Sequence, residues 1–201
     1  MDLDKILAPY INGQLITLWT IHELNAWQNF QKKGFISGDG RRIDRYFRSA
    51  YGWMRNQMKK RITDYPNKYP IWAWYFPKPD LRKAAYLPKG TKGVRIECHV
   101  PAQRVLLSDF ETWHNVLNDW YLAFSEKEDE DWEKQKTGNK QSNNIQLIQQ
   151  EKEKSWERIF DLIALDSQTD KNWLGSIQNI QATLEKIYSS EVKKVTIFTA
   201  R

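Results

Sequence analysis

Cys98 is the only cysteine in this chain of 201 residues. That excludes an internal disulfide and any cysteine-based metal cluster. Cys98 sits in the apolar alternation of residues 94–100 and reads as a small strand or core residue. Neither of its neighbours is an obvious base to make it a nucleophile. Histidine is almost as scarce: His22, His99 and His114 fall in three separate segments without metal-ligand spacing, so no metal site is expected. Glycine-rich phosphate loops, nucleophile elbows and zinc-protease helices are missing too. So is any apolar run long enough to cross a membrane. The opening Met1-Asp2-Leu3-Asp4-Lys5 lacks the basic start and apolar stretch of a signal peptide. These absences predict a soluble cytoplasmic protein.

Aromatic residues, by contrast, are abundant. Ten Trp, nine Tyr and eight Phe make up 13 % of the chain, and hydrophobic residues 40 %. Such a chain is too apolar to remain disordered. The aromatics either fill a core or offer flat faces to a nucleobase or nicotinamide ring. A net charge of +6 favours acidic partners, nucleic acid first.

Hydrophobic periodicity divides the chain into mixed helices and strands, the pattern of an α+β fold. Residues 15–22 read as a strand and 23–33 as a helix stopped by Gly34. Residues 35–42 read as a loop. Over 43–62 the spacing predicts one amphipathic helix with an apolar stripe of Phe47, Ala50, Met54 and Met58. Arg41, Arg45, Arg48, Arg55 and Lys59 fall near a second stripe, either a solvated face or a surface that tracks phosphates. Residues 71–76 (IWAWYF) are an aromatic strand, 77–93 irregular, 94–100 and 104–107 strands, and 110–124 a helix. Residues 125–144 are charged and poor in apolar residues, which suggests a surface insertion, disordered in part or a solvated helix, on a single domain spanning 1–201. Helical periodicity resumes at 145–163, a loop follows at 166–171, and 177–187 and 192–198 are strand-like. Asp109 and Glu185 stand out as carboxylates in apolar strand settings. Asp109 also suits the N-cap of the helix that follows it, and Glu185 an exposed strand position.

The segments LWTIHELNAW, AYGWMRNQMKKR, PIWAW, LLSDFETWHNVLN, SWERIFDL and IQATLEKI resemble a bacterial family known as domain of unknown function 3841. Residues 18–34, 71–82, 106–115 and 180–197 are also similar, in the same order, to DarT-like ADP-ribosyltransferases, which attach ADP-ribose from NAD to DNA bases. This resemblance implies an ADP-ribosyltransferase-like core of two small packed sheets with flanking helices. It departs at two positions. Thr20 stands where that family holds NAD with a histidine, although His22 lies on the same side of the strand. Thr183 stands where the family's catalytic glutamate follows Gln-Ala. Thr cannot supply the negative charge that stabilises an oxocarbenium-like ribose. Gln181, Thr183 and Glu185 alternate along one face, so Glu185 is the candidate substitute.

Two expectations follow. In the first, the protein is an enzyme that transfers ADP-ribose from NAD to nucleic acid. Trp19, Thr20, His22, Trp72, Trp74, Tyr75 and Asp109 hold NAD, Arg82 pairs with its diphosphate, and Glu185, Gln181 and Thr183 form the catalytic group. The basic residues Arg41, Arg45, Arg48, Arg55 and Lys59 draw in the acceptor. In the second, the fold is catalytically degenerate and binds nucleic acid or a protein partner.

Overall fold

The computed structural model describes residues 2–84, 86–138, 142–168 and 171–201. Helices and strands are mixed, as expected of an α+β chain. They gather into two units: residues 1–107 with 180–201, and residues 108–179. Among the described residues, no helix is long and apolar enough to cross a membrane.

The first unit contains α1 (Leu3–Ile11), β1 (Leu15–Glu23), α2 (Leu24–Lys33), β2 (Phe35–Ser37), α3 (Arg48–Arg61), β3 (Ile71–Phe76) and β4 (Lys92–Pro101). After β5 (Leu106–Asp109) and the second unit, it closes with β6 (Ile180–Leu184), β7 (Lys186–Tyr188) and β8 (Val192–Thr199). Six strands form one sheet in the order β5-β6-β3-β1-β4-β8, while β2 and β7 form a separate ribbon. Two sheets are thus present, but they are unequal.

Alternation decides the faces of the large sheet. β1 pairs antiparallel with β4, Leu18 opposite Cys98 and Trp19 opposite Glu97. Ile16, Leu18, Val94, Ile96, Cys98 and Val100 therefore share one face, and all are fully or almost fully buried. Burial of each large aliphatic side chain contributes roughly 1.5–3 kcal/mol. Across β1, Trp19 lies opposite Trp74 of β3, and Trp74 opposite Gln181 of β6. This second face carries Trp19, Trp72, Trp74, Gln181 and Thr183. α3 supplies part of its cover: Tyr51 meets Trp72 edge to face at 5.8 Å, and the Thr183 hydroxyl lies 4.0 Å from the Met54 sulfur.

Several segments depart from the sequence expectation. Residues 35–42 are not all loop, because Phe35–Ser37 pairs with Lys186–Tyr188. Glycines at 38 and 40 allow the chain beyond β2 to press against the segment before β3; a Cβ at Gly38 would stand 2.2 Å from the Pro70 carbonyl oxygen. The helix expected over 43–62 begins at Arg48. Asp44 caps a preceding 3-10 turn, Arg45–Phe47, by accepting from the Tyr46 amide, and so leaves Phe47 outside the buried stripe. Gly34, at φ 75°, ends α2 as anticipated.

The second unit contains α4 (Phe110–Leu117), α5 (Glu126–Gly138), α6 (Ser142–Trp156), α7 (Leu162–Ser167) and α8 (Lys171–Leu174). α4 is shorter than the predicted 110–124 helix. Asp119 adopts φ 58°, and the Leu122 amide donates to Ser155 Oγ at 2.9 Å instead of continuing a helical ladder. The charged segment at 125–144 is helical over α5 and anchored from within. Trp132 is buried and stacks on Tyr121, while Glu128 accepts from Tyr121 and the Phe124 amide and pairs with Arg158 at 2.7 Å. Residues 139–141 of that segment lie outside the described residues. The single helix expected over 145–163 breaks at a 3-10 turn, Glu157–Phe160. Asp161 then starts α7 by accepting from the Ala164 amide. The loop expected at 166–171 is helical through Ser167, and residues 169–170 lie outside the described residues.

Candidate functional site

Strand period two separates residues that the sequence reading had grouped around one ligand. Trp19 and Thr20 are neighbours on β1 and therefore point to opposite faces. On the buried side, Thr20 Oγ1 donates to the Trp72 carbonyl at 3.0 Å. Its only proton is thereby used, so His22 Nε2, 2.8 Å away, is the donor between the two side chains. Burial and the nearby Arg42 charge push the His22 pKa down to about 4, keeping the ring neutral. Tyr75 is buried with its hydroxyl donating to the Ile6 carbonyl, a structural tie between β3 and α1. Thr20 thus ties β1 to β3 and Tyr75 ties β3 to α1, while His22 is bonded to Thr20 along β1.

The opposite face holds a different set. Trp19 Nε1 and Lys78 Nζ both donate to Glu97 Oε2 at 2.9 Å, and Lys78 lies 5.5 Å from the centre of the Trp19 ring. Lys78 and Trp19 together hold the Glu97 carboxyl below its usual pKa. Trp74 packs edge to face with Tyr86 of the irregular loop at 6.4 Å. Gln181, across from Trp74, is buried, and its Nε2 has no hydrogen-bond partner among the described residues. Thr183 is fully buried and donates to the Leu106 carbonyl at 3.3 Å. The Gln181–Thr183 alternation does not extend to Glu185, because the β6 pairing with β3 ends at Leu184 and the chain then leaves to form the β2–β7 ribbon. Glu185 lies in that break and pairs with Lys186 at 2.9 Å. Burial, then the Glu185 charge, raises the Tyr65 pKa.

Arg82 reaches neither group. It is exposed and held by Asp80 at 2.8 Å, and this pairing pulls the Asp80 pKa to about 2. Asp109, in the second unit, caps α4: its Oδ2 accepts from the Thr112 amide at 2.7 Å and the Thr112 hydroxyl at 2.9 Å. Such a cap contributes about 1 kcal/mol. Burial raises the Asp109 pKa, and its Oδ1 has no partner among the described residues. No group of three or more His, Cys, Asp or Glu able to hold a metal ion occurs among the described residues.

The basic residues divide as well. Arg41, Arg42, Arg45 and Arg48 are exposed on two consecutive 3-10 turns and the first residue of α3. Tyr46, 73 % exposed, and Phe47 lie among them. Arg45 hydrogen-bonds the Tyr46 hydroxyl at 2.8 Å and stands 4.8 Å from its ring centre. Arg41 is paired with Asp39 at 2.9 Å. Arg55 turns inward instead: it is half-buried, stacks 4.9 Å over Tyr69, and leaves Lys59 as a separate exposed charge. The sequence showed the charges. It did not show that Tyr46 and Phe47 are exposed between them, because helical spacing continues through both positions while the Asp44-capped turn takes them out of the helix.

These features define a mixed α+β protein with an aromatic sheet face and a basic, aromatic surface turn. The chain belongs to the family described as Domain of unknown function (DUF3841), which it matches over residues 17–193. No curated protein and no solved structure matches it.

Proposed function

We propose that this protein is a nucleic-acid-binding module built on an ADP-ribosyltransferase-like fold. The observation that carries the reading is the turn 41–48. Four arginines there surround an exposed tyrosine and phenylalanine, the combination that tracks a phosphate backbone while bases stack on aromatic rings. The Arg41–Asp39 pair is a surface pair of small net value, so a phosphate can replace the carboxylate. Single-stranded nucleic acid suits the turn best, because its bases are free to stack.

The test is anisotropy of a labelled oligonucleotide against the wild type, Tyr46→Ala and the double variant Arg45→Ala/Arg48→Ala. Loss of one stacked base in Tyr46→Ala costs about 1–3 kcal/mol. The double variant lowers the salt slope by about 1.4, two phosphate contacts at roughly 0.7 each. Unchanged affinity in both variants removes the turn from the reading.

A second reading, NAD-dependent transfer of ADP-ribose to a nucleic acid, is favoured by Gln181. A buried amide without an acceptor costs roughly 1–3 kcal/mol, and a carboxamide or ribose oxygen bound beside Trp74 would satisfy it. Against catalysis stand Thr183, whose hydroxyl already donates to a backbone carbonyl, and Glu185, which is paired with Lys186. Thermal unfolding with NAD separates the readings. Binding at 100 times the dissociation constant adds about 2.7 kcal/mol, lost in Gln181→Leu. An unshifted transition at millimolar NAD leaves the binding module alone.

A further inference from the structure

We infer that the second unit has a binding site of its own, for a small methylated ammonium compound. A cavity of about 990 Å³ opens there among the end of α4, α5, α6 and α8. This is the upper range of sites that hold small organic molecules, roughly 300–1,000 Å³. Its walls are aromatic and held in place. Tyr121 and Trp132 stack at 4.4 Å with 14° between their planes. The Tyr121 hydroxyl is fixed on Glu128, and Trp173 Nε1 donates to the Ala123 carbonyl at 3.2 Å. Trp173 is 38 % exposed and Trp120 62 %, so ring surface remains for a ligand.

Charge selects the ligand class. Asp119, Asp129 and Glu133 line the cavity with Lys136 and Lys152. Lys152 is tied to Asp119 at 2.6 Å and Lys136 to Glu133 at 2.9 Å. Asp129, four residues before Glu133 on α5, has no ion pair among the described residues and leaves the described lining with one negative charge in excess. The neighbouring carboxylates of α5 add little to it, because Glu128 pairs with Arg158, and Glu130 and Asp131 pair with Lys134. Negative ring faces and a surplus carboxylate both attract a cation. A nucleotide would instead meet Asp129 unpaired. The site is therefore opposite in charge to the basic turn of the first unit.

The probe is choline, and 3,3-dimethylbutan-1-ol is its uncharged counterpart of the same shape. NMR of the tryptophan indole protons of the full chain reads the binding. We expect choline to shift the Trp173 signal in a saturable way and the alcohol to bind about tenfold more weakly, the share that cation–π attraction and one carboxylate supply. Asp129→Asn lowers choline affinity several-fold and leaves the alcohol unaffected, and Trp173→Ala weakens both. Equal affinity for the two probes overturns the inference, as does no saturable shift with choline or unchanged choline binding in Asp129→Asn.

Discussion

Cys98 and His22 show how one residue's setting decides its chemistry. Cys98 is buried between strands, and burial pushes its thiol pKa up to about 12. A thiol is the weak form of the nucleophile. We predict that Ellman's reagent leaves Cys98 unmodified in the native protein and modifies it fully in denaturant; rapid native labelling would contradict its placement. For His22 the folded pKa, about 4, lies below the ordinary histidine value of 6.5. The unfolded chain therefore takes up the proton first as pH falls. The contribution of neutral His22 is complete above pH 6.5 and is lost between 6.5 and about 4, on the order of 3 kcal/mol. Urea unfolding across that window should show the loss in the wild type and a flatter profile in His22→Gln, which keeps a donor for Thr20. An equal acid step in both proteins would show that His22 is not its source.

Among the elements, local pattern carried some and hid others. The strands read at 15–22, 71–76 and 94–100 were legible from β-branched and aromatic content and, at 94–100, from alternation; the observed strands run slightly longer at 15–23 and 92–101, and the glycine stop of α2 followed from its left-handed position. The β2–β7 ribbon was not, since three-residue strands lack a period and their partners lie some 150 residues apart in the chain. α4 was overextended because Leu122 and Ala123 continue an apolar run, yet they are buried without helical hydrogen bonding. The same limit governed the candidate site. Period two already puts Trp19 and Thr20 on opposite faces, but the resemblance placed both on one ligand. Arg55 looked like part of a basic stripe because its partner, Tyr69, comes from outside the helix. Arg45 and Arg48 of the basic turn are exposed, so Arg45→Ala/Arg48→Ala should leave the thermal unfolding midpoint within about 2 °C of the wild type, as exposed substitutions do. A larger drop would make the turn a structural element first.

At the level of the whole molecule, two units carry different surfaces. The first offers an exposed basic turn and an aromatic sheet face; the second offers an acid-rimmed aromatic cavity. Net charge alone, +6, pointed to nucleic acid but not to a place. The turn 41–48 is the place we propose, and the family match carries no activity with it. The measurement that tests the central claim most directly is the salt dependence of oligonucleotide binding by the intact protein. Three to four arginine–phosphate contacts predict that log K falls against log salt with a slope of about −2 to −3 on a single strand. A slope near zero, or no binding at low salt, would contradict the account.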